Sequence, residues 1–167
     1  RCRHLFRRTV LAYAVVIAVS DVIFAVFPVT SRHLRVDPAR LDVTRFPLWA
    51  VSVLYAIDPP YNLFPSLHLS IVALAALAAW KADRRYGAVM AAGTVLVAIS
   101  ICTTKQHFVL DGVGGLALAL AASAAILAPY RPPAGTRPGS SWRGAAAYAA
   151  LLAAVYAGFY VAFRWAS

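Results

Sequence analysis

The stretch TTKQHFVLDGVGG, residues 103–115, places His107 four residues ahead of Asp111 at the mouth of a long apolar run. Side chains four apart on a helix stand one above the other on the same face. A carboxylate in that position accepts a hydrogen bond from one imidazole nitrogen, fixes the tautomer, and leaves the second nitrogen free to attack an electrophile. An unpaired carboxylate one turn inside an apolar helix is expensive, so His107 is also the nearest partner for Asp111. A second histidine sits in the first turn of another predicted helix, in FPSLHLS (64–70), with Pro65 and Ser66 just ahead of His68. With an unperturbed pKa of about 6.5, His68 suits the delivery of a proton to a departing oxygen near neutral pH. Ser66 taken alone reads as a helix N-cap.

The positioning elements follow from the composition. Of 167 residues, 62% are apolar and 13% are charged, a balance that only a lipid solvent accommodates at this length. Five stretches approach the roughly 17–25 residues needed to cross a bilayer. They run at about 9–28, 63–80, 86–103, 108–128 and 145–163. The predicted fold is an all-α integral membrane bundle in one domain, 1–167. The run 46–57, bounded by Arg45 and Asp58, is too short to span and is expected to lie at the interface, within a long outer loop over 29–62. Residues 131–144 (RPPAGTRPGSSWRG) read as a Pro/Gly/Ser-rich cytoplasmic linker to the last helix.

Two spans separate His68 from His107, and an even number of crossings returns both to one membrane face. Ten basic residues fall in the loops on the opposite side and six on the histidine side. The richer side is expected to be cytoplasmic, which puts the histidines on the outer face of a plasma membrane. The formal charge of +10 is spread between spans rather than along one face, so nucleic acid is not the expected partner. Cys2 and Cys102 lie at opposite ends of the bundle and form no disulfide framework. The chain opens on Arg1 with no signal peptide, and earlier helices are expected to precede it. Asp21, mid-span, is expected to face the bundle interior.

Two helix N-termini, Lys105 and the outer arginines Arg32, Arg35, Arg40 and Arg45 together favour an anion, most naturally phosphate. Other readings stay open. Two histidines at one membrane depth can ligate a haem, and Asp21 can serve a transporter or structural subunit. A two-metal phosphatase is disfavoured: the chain has six acidic residues and no carboxylate cluster near the histidines.

PSLH (65–68) followed by TTKQHFVLD (103–111) resembles the type 2 phosphatidic acid phosphatase superfamily, whose motifs are written KxxxxxxRP, PSGH and SRxxxxxHxxxD. The leucine variant and the TKQH form look most like its inositolphosphotransferase-type branch, which includes relatives of inositol phosphorylceramide synthase. The resemblance covers about 9–128, leaving the helix at 145–163 as an addition. It implies that His107 is the nucleophile that becomes phosphohistidine, Asp111 its orienting carboxylate, His68 the acid for the leaving group, and Ser66 a phosphate contact. It implies a metal- and cofactor-free membrane enzyme. The reaction expected from it is hydrolysis of a lipid phosphate monoester or diphosphate, with transfer of a lipid head group as the alternative. Three departures stand out. Leu67 replaces the glycine of the second motif, Ile101 replaces the arginine of the third, and the first motif is absent as written. Lys105 is the substitute candidate for the third-motif cation. FPVTSRHLRVD (27–37) occupies the place of the first motif, with Arg32 preferred over Arg35 as its guanidinium.

Overall fold

The computed structural model describes residues 3–131 and 142–166, which fold into six helices and the connections between them. Helix α1 is Arg3–Val26, α2 Phe46–Ile57, α3 Leu67–Ala82, α4 Arg84–Thr103, α5 Val109–Ala122 and α6 Trp142–Ala166. A five-residue π-helical segment, Ser123–Leu127, prolongs α5. The all-helical membrane bundle expected from composition is present, with its short interfacial candidate α2 at the predicted residues. Most of the linker read at 131–144 lies outside the described residues, as do Cys2 and Arg137.

Among the described residues four helices, rather than five, are long and apolar enough to cross a membrane: α1, α4, α5 with its extension, and α6. The span expected at 63–80 is the exception. Helix α3 has 16 residues, about 24 Å at ~1.5 Å per residue. It starts late because Pro59, Pro60 and Pro65 keep the chain out of helix up to Ser66, whose hydroxyl caps the helix by accepting from the Leu69 N–H at 3.4 Å. Being short, α3 is also central, packed against α1, α4 and α5.

The core is built from small side chains, which let helices approach where lipid supplies no hydrophobic drive for association. Ala12 and Val16 of α1, Ala73, Leu74 and Ala78 of α3, and Ala119 and Ala122 of α5 are buried together. Helix α1 turns a stripe of Leu5, Ala12, Val16 and Ser20 inward. Asp21 is one residue off that stripe, about 100° around the helix, and is exposed; the expectation that it faces the interior is corrected. Helices α3 and α4 form a tight hairpin through Asp83, whose carboxylate accepts from the Arg85 and Tyr86 N–H groups at the start of α4. Helix α6 packs along α4 through Tyr148 on Tyr86, then gathers Tyr156, Tyr160 and Phe163 around Phe46 of α2.

The ends of five elements therefore meet at one end of the bundle: the end of α1, α2, the start of α3, the end of α4 and the start of α5.

Candidate active site

The chain reaches His107 through a reversal after α4. The N–H groups of Lys105 and Gln106 donate to the Cys102 and Ile101 carbonyls at 3.1 and 3.0 Å, and Lys105 holds φ at 56°. That is the glycine-favouring pattern for stopping a helix, with a left-handed residue just past its end. Lysine fills it here. The reversal drops His107 directly onto the first turn of α5.

Asp111 is the third residue of α5, and its Oδ2 accepts the Phe108 backbone N–H at 2.8 Å. Phe108 has no side-chain acceptor to return the bond, so the carboxylate alone closes the helix start. The same oxygen lies 3.5 Å from His107 Nδ1. That spacing is an electrostatic contact at the outer limit of hydrogen bonding, and Nδ1, which is buried, has no hydrogen-bond partner. On the other side of the ring, His107 Nε2 stands 3.3 Å from His68 Nδ1. His107 and Asp111 are 8% and 3% exposed, whereas His68 is exposed. Burial pushes the His107 imidazole below its ordinary pKa, the charge of His68 adds to that, and the Asp111 and Asp58 carboxylates oppose it. That direction favours the neutral imidazole at His107, whose Nε2 faces the His68 ring.

A glycine makes this convergence possible. A Cβ on Gly115 of α5 would fall 2.4 Å from the Ser66 carbonyl oxygen. With hydrogen there instead, the start of α3 lies on α5: the Ser66 N–H donates to the Asp111 carbonyl at 2.9 Å, and the Ser70 hydroxyl reaches the Gly115 carbonyl at 2.9 Å. His68 is carried two residues beyond that contact.

The outer loop closes over the histidines. Ser31 N–H and Thr30 Oγ1 donate to the Pro60 carbonyl at 3.2 and 2.6 Å, and the Ser31 hydroxyl donates to the Gln106 carbonyl at 3.2 Å. These ties bring Arg35 to Asp58. Its Nη1 donates to the Asp58 carbonyl at 2.5 Å, and its Nη2 lies 3.4 Å from Asp58 Oδ2. The guanidinium also stacks over Tyr55, 4.7 Å from the ring centre. Its Nε is buried without a partner. Asp58 Oδ2 additionally accepts from Gln106 Nε2 at 2.7 Å. The cavity between them, about 230 Å³ and open on one side, is walled by Phe24, Arg35, Asp58, Asn62, His68 and His107 among others.

Of the residues singled out in the sequence, His68, His107, Asp111 and Arg35 come together here. Ser66 is fully buried as the α3 cap and is absent from the cavity wall. Lys105 and Arg32 are exposed and also off that wall; the guanidinium that reaches the cavity is that of Arg35, rather than the preferred Arg32. The Arg32 backbone N–H donates to Thr30 Oγ1 at 3.2 Å in the turn that carries it. Asp58, Gln106 and Tyr55 were not foreseen. A signal for Asp58 was present, since it is one of only six acidic residues and follows directly on α2 at the histidine end.

A sequence profile of the family described as the PAP2 superfamily matches residues 1–125, ending before α6. Comparisons with curated proteins and with solved structures found no match.

Proposed function

As the chain belongs to the PAP2 superfamily, being matched over residues 1–125 of 167, we propose that it cleaves the phosphate ester of a membrane lipid through a phosphohistidine at His107. The observation that carries this reading is the line of three groups. Asp111 stands behind Nδ1 at 3.5 Å, and His68 stands before Nε2 at 3.3 Å.

In the proposed first step the neutral Nε2 attacks phosphorus and the P–N bond forms. His68 gives its proton to the departing alkoxide as the P–O bond breaks. Arg35 offers its unpartnered Nε–H to an equatorial oxygen, where charge accumulates. In the second step water or another alcohol attacks phosphorus, returns a proton to His68 and frees His107. Water makes the enzyme a phosphatase; an alcohol makes it a phosphotransferase. At 3.3 Å the two rings leave no room for a phosphorus centre between them. Substrate therefore enters by displacing the exposed His68 ring from its 3.3 Å contact with His107. Arg32 and Lys105, outside the wall, attract the anion to the mouth. The six basic residues on the histidine side against ten on the other favour a site on the outer face of a plasma membrane.

The test is release of the alcohol and of phosphate from a lipid phosphate by the purified protein, with and without an added acceptor alcohol. His107→Ala is expected to abolish both. Turnover by His107→Ala at the parent's rate refutes the reading.

A further inference from the structure

A carboxylate on the wall of a cavity that receives phosphate repels its ligand, yet Asp58 stands on that wall. Its contacts supply a reason. Arg35 is the one guanidinium among the described residues there, and two of its nitrogens turn to Asp58. Nη1 donates to the main-chain carbonyl at 2.5 Å, and Nη2 lies 3.4 Å from Oδ2. The third nitrogen, Nε, is buried and has no partner. We propose that Asp58 is a positioning residue: with Gln106 it holds the far end of Arg35, so that Nε–H meets the phosphate at a fixed place relative to His107. The inference rests on the proposed function and adds to it the residues that place its cation.

Two routes tie the guanidinium to the nucleophile. In the first, Gln106 Nε2 donates to Asp58 Oδ2 at 2.7 Å, and His107 is the next residue. Thr104 Oγ1 donates to Gln106 Oε1 at 3.4 Å, which leaves the Nε2 end of that amide for Asp58. In the second, Arg35 stacks over Tyr55, 4.7 Å from the ring centre, and the Tyr55 hydroxyl donates to the Thr104 carbonyl at 2.7 Å. Both routes end in the turn that delivers His107, although α2, α3 and α4 lie between residues 35 and 107 in the chain. Gln106 is buried, and its main-chain carbonyl accepts from the Ser31 hydroxyl at 3.2 Å, so it also fastens the segment that leads to Arg35.

An unrestrained arginine samples many rotamers and loses them when phosphate arrives. Held in advance, it meets the charge that develops on the equatorial oxygens with no further reorganisation. The same contacts moderate the repulsion, because Oδ2 of Asp58 faces both the guanidinium and the Gln106 amide. A residue that merely staples the outer loop would share these contacts but not their kinetic consequence. Its loss would lower stability and leave the rate of the folded enzyme unchanged.

The experiment measures kcat and KM for diacylglycerol phosphate in mixed micelles, with thermal unfolding in detergent on the same samples. Arg35→Ala is expected to lower kcat about 10²–10³-fold, the loss of one donor to developing charge. Asp58→Ala is expected to lower kcat on the order of 100-fold, as for a misplacement of about 1 Å, with the loss falling on kcat rather than KM. Asp58→Asn keeps the main-chain carbonyl and an acceptor for Gln106, and is expected to recover kcat to within about tenfold of the parent. In the Arg35→Ala background, Asp58→Ala is expected to cost no more than about twofold further, since it acts through the arginine. Parent-like kcat in folded Asp58→Ala, a loss confined to KM, or an Asp58→Ala factor undiminished by Arg35→Ala overturns the inference. Should Asp58→Ala not fold, Gln106→Ala carries the same test: it cuts the link and is expected to lower kcat about tenfold or more, and a parent-like kcat overturns the inference. His107-dependent turnover keeps the proposed function standing in each of these cases, whereas turnover that survives His107→Ala removes the proposed function itself.

Discussion

Replacing Gly115 with alanine tests how the two histidines are brought together. The new Cβ would sit 2.4 Å from the Ser66 carbonyl oxygen and 3.1 Å from the Ser70 hydroxyl. Ordinary carbon–oxygen contact begins near ~3.3–3.6 Å, so the start of α3 must retreat by about 1 Å. The Ser66 N–H to Asp111 carbonyl bond and the Ser70 hydroxyl to Gly115 carbonyl bond, both 2.9 Å, lie beside this contact. A retreat of that size takes them out of range, at about 0.5–1.5 kcal/mol each, and overpacking adds roughly 1–3 kcal/mol. The expected destabilisation is thus about 2–6 kcal/mol. His68 moves with α3, and a misplacement of about 1 Å costs on the order of 100-fold in rate. Thermal unfolding in detergent and turnover of a lipid phosphate are the two assays. Gly158→Ala is the control: nothing lies within 4 Å of its Cβ, so activity is unchanged and the helix gains about 0.5–1 kcal/mol. Gly115→Ala with parent-like melting and turnover would refute the claim that this contact positions the site.

Three further predictions concern single residues. Because burial lowers the His107 pKa and the charge of His68 lowers it again, the nucleophile stays neutral, and kcat/KM holds, below the usual histidine pKa of ~6.5. Asp111→Asn removes a carboxylate that raises this pKa and shifts the acid limb to lower pH. His68→Ala removes the charge that lowers it, shifts the limb to higher pH, and slows turnover of poor leaving groups about 10²–10⁴-fold. Shifts of the same sign in a pH–rate series would contradict the electrostatic assignment. Lys105→Gly relieves a left-handed residue at φ 56°, raising stability by about 1–2 kcal/mol, and leaves turnover within about twofold, since the amine is off the cavity wall; a large loss of turnover would put Lys105 on the phosphate.

The convergence of His68, His107 and Asp111 was legible because it depends on regular geometry. A spacing of four puts His107 and Asp111 on one helical face, and two intervening crossings return His68 to the same end. Helix α2 was legible from the charges at its borders. The rest depends on irregular chain. Whether Arg32 or Arg35 enters the cavity is decided by hydrogen bonds between 30–31 and Pro60, and no periodicity encodes them. Asp58 joins Arg35 and Gln106, which are 23 and 48 residues away, only once that loop has folded back. Lys105 reads as a cation for phosphate until the backbone after α4 is seen to place it, left-handed, at the helix end. The length of α3 was overestimated because Leu63 and Phe64 look like helix in an apolar run, although the segment carrying three prolines bends and turns left-handed at Asn62 before the helix begins.

The measurement closest to the central claim is a quench of the parent during turnover of a lipid labelled in its phosphorus, followed by mapping of the adduct under conditions that spare P–N bonds. The label is expected on His107 Nε2, absent from His107→Ala and chased off by water or an acceptor alcohol at the rate of turnover. Label on another residue, or full turnover with none at His107, would contradict the account.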